Sequence, residues 1–187
     1  MAKAETDKRT RLIETAMKMA YKRGFRESSL ADIAEAADVP VGNVYYYFKT
    51  KDEISEAIID LRVSRLAKLL QRLDRLNSPR KRLCGFVQVK IKNRRKLARL
   101  GCPVGTLCSE LRKHGSPVAK KSSLLFAIAL KWMEMQFRAL GKGAESRRLA
   151  VHLLSATQGV SLLAHTFHDP ELITMEAARL KAWIRGL

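Results

Sequence analysis

Three dipeptides in this chain, Ser78-Pro79, Ser116-Pro117 and Asp169-Pro170, each place a hydrogen-bonding side chain directly before a proline. That order suits the first turn of an α-helix: the side chain caps orphan N–H groups, and proline has no N–H to leave unpaired. From Asp7 to Arg23 apolar residues recur at Leu12, Ile13, Ala16, Met17 and Ala20, a helical stripe, and Gly24 follows where a left-handed residue closes a helix. Ser29 with Asp32, and Thr50 with Glu53, read as capping boxes. The first opens a short helix with Leu30, Ile33, Ala34 and Ala37 inward. The second opens a long one whose apolar face is Ile54, Ala57, Ile58, Leu61, Leu66, Leu69, Leu73 and Leu76. Breaks at Gly101-Cys-Pro103, near His114-Gly115 and at Gly141-Lys-Gly143 divide the remainder. No run alternates apolar and polar residues between turn signals, so strands are disfavoured. The expectation is an all-α chain of about nine helices.

Hydrophobic residues make up 47% of the 187 residues, enough for a buried core, so general disorder is excluded. The longest apolar run, Leu124 to Leu130, is far short of the roughly 20 residues of a membrane span. The segment MAKAETDKRTR has no apolar stretch of a secretory signal, and three cysteines without metal spacing suggest a reducing, cytoplasmic setting. The net charge of +18 is unevenly placed. Residues 1–60 hold 10 basic and 11 acidic side chains, whereas residues 61–100 hold 14 basic and one acidic, Asp74. One stretch should therefore carry a strong positive potential.

The first 48 residues give a helix, a short helix, a tight turn at Asp38-Val39-Pro40 and a third short helix from Gly42 to Phe48. In a helix-turn-helix the second helix braces against the DNA backbone and the third enters the major groove. Val39 is expected to tuck under the turn beside Ile33, Ala34 and Val44. The third helix then presents Val41, Asn43, Tyr45, Tyr46 and Tyr47, mostly outward. Phenol hydroxyls suit phosphate oxygens, and the Asn43 amide suits a base edge, adenine by preference. Lys51, at the start of the next helix, can grip a phosphate together with backbone N–H groups. The local cations Lys8, Arg9, Lys49 and Lys51 matter more here than the net charge of the segment.

The stretch from Ser28 to Ser55 resembles the N-terminal domain of the tetracycline-repressor (TetR) family of transcriptional regulators. The matching features are Ser28-Ser29, Ile33-Ala34, Ala37, Val39, Gly42, Tyr45, Phe48, Lys51 and Glu53, in family order and spacing. The resemblance covers roughly residues 8–60. It implies an N-terminal three-helix helix-turn-helix DNA-binding domain (1–50) and a C-terminal helical ligand-binding and dimerisation domain (51–187). The fourth helix, about 51–76, would connect the two. It further implies a homodimer, with Ser29, Val41, Asn43, Tyr45, Tyr46, Tyr47 and Lys51 at DNA-contacting positions and Gly42 allowing close backbone approach. Three residues depart from the pattern. Asp38 stands where Gly or Asn is common, Pro40 replaces a Ser/Thr cap, and Val41 replaces a polar base-reader, suiting a thymine methyl instead.

The basic stretch 61–100 reads as a solvated face, as auxiliary phosphate attraction, or as an acidic-inducer site. Cys102, preceded by Arg94, Arg95, Lys96 and Arg99, has a setting that favours thiolate. A cysteine at this place senses electrophiles or oxidants in a subset of the family; the other reading is small apolar packing. His114 is the nearest histidine, with no acid to orient it, so no catalytic triad is expected and the chain is read as no enzyme. By family architecture an inducer pocket is expected among Phe86, Cys102, Leu107, Trp132, Met135 and Gln136, although Met and aromatic residues at helical spacing are also ordinary core. His152, His165 and His168 lack a supporting Cys or carboxylate cluster, so neither metal nor cofactor is expected. The eighth and ninth expected helices carry Leu153, Leu154, Val160, Leu163, Ile173, Leu180, Trp183 and Ile184, enough for core and homodimer interface together.

The reading is a cytoplasmic repressor that binds a palindromic duplex operator as a homodimer and is released by an unidentified small-molecule inducer or by cysteine modification. It has no membrane partner. The alternative is a polybasic architectural protein without operator preference.

Overall fold

A computed structural model describes residues 2–24, 27–113 and 115–187, with side chains from residue 7 onward; His114 lies outside the described residues. The helices are α1 (Ala2–Arg23), α2 (Leu30–Ala36), α3 (Val41–Tyr47), α4 (Lys51–Asp74), α5 (Pro79–Lys92), α6 (Arg94–Leu100), α7 (Pro103–Lys113), α8 (Ala119–Ser122), α9 (Leu124–Ala139), α10 (Ser146–Thr166) and α11 (Glu171–Gly186), with a 3-10 turn at Gly143–Glu145. Among the described residues there is no strand, and no helix is long and apolar enough to cross a membrane. The chain packs as two compact units, residues 1–64 with 106–124, and residues 65–105 with 125–187.

The first unit is built around the α1 stripe. Leu12, Ile13, Ala16, Met17 and Ala20 pack with Ile33, Ala34, Val39 and Val44, and with Ile54 and Ile58 of α4. Gly24 closes α1 at φ +89°, a conformation in which a side chain would crowd the backbone. At α2 both halves of the capping box are present: Asp32 N–H donates to Ser29 Oγ (3.1 Å) and Ser29 N–H to Asp32 Oδ2 (2.7 Å). At α4 the box is shifted by one residue. Glu53 N–H donates to Thr50 Oγ1 (3.2 Å), but the Glu53 carboxylate takes its hydrogen bond from Lys49 N–H (2.7 Å).

Residues 106–124 return to this unit. Leu107, Leu111, Val118 and Ala119 complete its core, and polar contacts fix the segment to α4. The Ser116 hydroxyl donates to Asp52 Oδ1 at 2.8 Å, and Lys121 Nζ donates to Glu56 Oε1 (2.8 Å) and Asp60 Oδ2 (2.9 Å). Those two carboxylates, Asp60 foremost, hold the Lys121 ammonium above its ordinary pKa. Ser116-Pro117 therefore does not open a helix as expected. Its hydroxyl accepts from Val118 N–H within a turn, and α8 begins at Ala119.

In the second unit α5 packs on α11, and α10 packs on both α11 and α6. Leu83, Met133, Phe137, Leu153 and Ile184 are fully enclosed. Ser78 caps α5 as expected, accepting from Lys81 N–H at 3.3 Å, and Asp169 caps α11, accepting from Glu171 N–H at 2.8 Å. The Trp132 indole N–H donates to Asp74 Oδ1 at 2.8 Å. Two expectations shift. Leu76 lies beyond the end of α4 and is exposed, with Leu70 buried instead. The helix after Ser78 breaks at Asn93, whose side-chain amide donates to Val89 O at 2.8 Å. Gly101, at φ +73° and ψ −171°, then turns the chain from α6 into α7, a region essentially reserved for glycine. Gly101→Ala is expected to lower stability by about 1–3 kcal/mol, read as an earlier midpoint in urea denaturation with an unchanged slope.

Candidate nucleic-acid interface

The turn before α3 is set by backbone geometry. Asp38 adopts φ +51°, a left-handed conformation that Asp tolerates better than most residues. Val39 N–H reaches back to Ala34 O (3.0 Å) and Asp38 N–H to Glu35 O (3.0 Å), so α2 closes in a Schellman-like turn. Arg11 of α1 donates from Nη2 to Asp38 O at 3.0 Å, tying the turn to the first helix. Sequence reasoning missed Arg11, because its partner lies 27 residues away and no local pattern marks it.

Pro40 starts α3 without a side-chain cap, as the sequence implied. Val44 is fully buried under α3, which fixes what the helix shows. Tyr46 (68% exposed), Tyr45 (48%) and Val41 (44%) stand out from it. Gly42 is exposed with nothing within 4 Å of where a Cβ would be, and Asn43 is half-buried. Tyr47 differs from the expectation: it is half-buried and packs on the core, with Tyr46 edge-on at 5.1 Å. Helical geometry explains this, since Tyr47 lies three residues from Val44 and shares its side of the helix. Lys49 Nζ donates to Tyr45 O at 2.6 Å, and the Arg9 guanidinium lies 5.3 Å from the centre of the Phe48 ring.

Ser29 is exposed at the start of α2, and Lys51 is half-buried at the first position of α4. The Asp32 carboxyl between them is held below the usual carboxylate range. The Ser29 backbone N–H contributes most, then the Ser29 hydroxyl, with smaller effects from Arg23 and Lys51. The structure thus gathers an apolar contact, two phenols, an amide, a hydroxyl and several cations around one short helix. Such a set can pair phosphate oxygens at its edges and base edges at its centre.

The six expected pocket residues have different surroundings within their units. Phe86 and Trp132 are buried in the second unit with rings 6.1 Å apart, and Gln136 beside them accepts from Arg82 Nη1 at 3.3 Å. Leu107 instead belongs to the core of the first unit. Met135 is 49% exposed, because Trp132, Met133, Gln136 and Phe137 occupy the inward side of α9. Cys102 is half-buried at the start of α7, where its Sγ accepts from Gly105 N–H (3.4 Å) and lies 4.0 Å from Lys90 Nζ. Burial pushes the Cys84 thiol above its ordinary pKa. His152 packs edge-on against Trp183, and His165 Nδ1 lies 3.2 Å from Ala98 O. No group of three metal-ligating side chains occurs among the described residues.

Residues 12–58 match the family described as bacterial regulatory proteins, tetR family. The HTH-type transcriptional regulator TtgR of Pseudomonas putida is 44% identical over 52 residues, 28% of this chain and 25% of that protein. The HTH-type transcriptional repressor NemR of Escherichia coli is 32% identical over 71 residues, 36% of each chain. These matches therefore span about a quarter to a third of the relatives' own length. A TetR transcriptional regulator from Chloroflexus aurantiacus shares the fold at a TM-score of 0.84, with 16% identity, 99% of this chain and 97% of that one covered.

A carboxyl whose folded pKa is lowered adds stability that is present above its unfolded value, about 3.9, and is lost as pH falls through the folded value. Asp32→Asn is therefore expected to remove an acid-side slope from the unfolding curve. The gap between wild type and variant stays level from pH 7 to about pH 5 and closes below about pH 4. A gap that ignores pH in urea titrations would show that the carboxylate is not engaged.

Proposed function

We propose that the chain, whose residues 12–58 match the tetR family of bacterial regulatory proteins, is a repressor of that family whose homodimer binds a palindromic operator and is released by a small-molecule or cysteine-directed signal. Members of this family are regulators rather than enzymes. The observation that carries the reading is the outward face of α3 over a fully buried Val44. Asn43 reads a base edge, adenine by preference, and Val41 meets a thymine methyl. Tyr45 and Tyr46 donate to phosphates, with Tyr47 at the edge of the contact. Ser29 and Lys51 hold phosphates at the starts of α2 and α4, and Gly42 lets the backbone come close. Two such helices, one per protomer, sit about 34 Å apart to meet successive major grooves.

The uncovered apolar residues of the last two helices support the dimer. Leu162, Leu163, Phe167 and Met175 are each at least half exposed, while Leu153, Ile173 and Ile184 of the same helices are buried. A helix pair apolar on both sides suits core on one side and a second copy on the other. In function the chain divides into a DNA-binding part, residues 1–50, and a signal-receiving and dimerising part, residues 51–187. The connector α4 runs unbroken from Lys51 to Asp74 and serves as the lever. The signal must favour one conformer over the other, through a guest among Phe86, Trp132 and Gln136 or through Cys102.

Fluorescence-anisotropy titration onto duplexes flanking the chain's own gene, each against a shuffled duplex, tests the reading. One palindromic duplex is expected to bind by preference through moderate salt. Asn43→Ala should cost about 1–3 kcal/mol at that duplex and little at the shuffled one, and Tyr45→Phe about 1 kcal/mol. Equal binding to both duplexes, insensitive to either substitution, would favour a polybasic architectural protein instead. The Leu162→Asp/Phe167→Asp variant is expected to sediment as a monomer where wild type sediments as a dimer. A variant that remains dimeric would place the interface elsewhere.

A further inference from the structure

The positive charge of this molecule does not lie with the helix that reads DNA. The first unit holds 15 basic and 12 acidic residues, and the second holds 21 basic and 6 acidic. Within the second unit, residues 65–105 carry 13 basic side chains against Asp74 alone. Asp74 is itself engaged by the Trp132 indole. In the rest of the unit 8 basic residues meet 5 acidic ones, and Arg138 and Arg147 lie 2.8 and 3.7 Å from Glu134, Arg179 lies 3.6 Å from Glu176, and Arg148 pairs with Glu145.

The break at Asn93 gives part of this charge a shape. Lys92, Arg95, Lys96 and Arg99 are all exposed; Arg95, Lys96 and Arg99, spaced one and three residues apart, share one face of α6, and Lys92 ends α5 just before the break. Leu97 and Ala98, on the other side, are buried against α10 and α11. Residues Lys92 to Lys96 line an open cleft of about 460 Å³, with Arg94 drawn toward Glu171 at 3.9 Å. We propose that this face is a docking surface for the phosphate backbone of duplex DNA, independent of base sequence and separate from α3. It rests on the DNA-binding reading above only in the choice of polyanion.

The physical chemistry favours DNA over other acidic partners. Counterion release rewards binding to a polyelectrolyte with condensed ions, which an acidic patch on a folded protein lacks. Protein–protein interfaces need apolar or aromatic anchors and are poor in charge at their centre. Among the described residues only Leu76, of the large apolar side chains in 65–105, is exposed. The same lack of an apolar face argues against a membrane surface. Arginine's fork matches phosphate oxygens, and 8 of the 13 cations in 65–105 are arginine.

The test uses the full chain and a shuffled duplex, with affinity measured across a salt series. In the Lys92→Gln/Arg95→Gln/Lys96→Gln/Arg99→Gln variant the slope of log affinity against log salt is expected to become shallower by about 3, and affinity at 0.1 M salt to fall about tenfold or more. A control of equal net charge, Lys131→Gln/Arg138→Gln/Arg147→Gln/Arg148→Gln, should change the slope by less than about 1. Equal changes in the two variants, or no change in the first, overturn the proposal. Should the first variant lose its helical circular dichroism, Lys96→Gln/Arg99→Gln replaces it, with an expected change of about 1–2. Polyglutamate or phosphatidylglycerol vesicles, added at equal charge, should leave the duplex bound; displacement by either would assign the face to that partner and overturn the DNA assignment. Asn43→Ala separates the two readings, since it should weaken operator preference without altering this slope on the shuffled duplex.

Discussion

Everything α3 presents to solvent depends on how α2 hands over to it. The left-handed Asp38 lets Val39 N–H reach Ala34 O at 3.0 Å, and that bond drops Val39 into the core. With Val39 and Val44 buried, α3 has no rotational freedom, and Tyr45, Tyr46 and Val41 must face outward. Arg11 adds a strut from α1 to the carbonyl of Asp38. The chain thus holds α3 by a backbone turn and two small apolar side chains rather than by contacts from α3's own polar groups.

Much of this was legible without coordinates because the signals are local. The Ser29–Asp32 box, Gly24 beyond α1, Val39 beneath the turn and the uncapped Pro40 are set by residues within five positions of one another. What escaped sequence reasoning depends on distant partners. Ser116 carries a helix-start signature, but Asp52, 64 residues earlier, takes its hydroxyl. Asn93 looks like one more polar residue in a helix until its amide turns back onto Val89 O. Leu107 and Met135 both fit an apolar periodicity, which identifies a buried stripe but not which core receives it or where the stripe's edge falls.

The two units divide labour by surface chemistry. In the first, cations and acids nearly balance, and the exposed face of α3 is made of phenols and a valine beside a half-buried amide. In the second, helix α10 shows that one element can serve two masters in succession along its turns. Leu153 and Leu154 point into the core, while Leu162, Leu163 and Phe167 stand exposed near its end. The arginine-rich α6 repeats that economy with Leu97 and Ala98 inside and Arg95, Lys96 and Arg99 outside.

The return of residues 106–124 to the first unit has a consequence for how the protein comes into being. Four residues of that core, Leu107, Leu111, Val118 and Ala119, are made long after the helices they cover. On the ribosome α1 to α4 emerge with one side of their core open, and stay so until residue 119 has cleared the exit tunnel. Closing that loop costs chain entropy, which is offset only once Leu107, Leu111, Val118 and Ala119 make their contacts. The unit that carries α3 is thus made before residues 106–124 but finished only with them, and a chain cut short near Ser64 would leave the ribosome with that core unsealed.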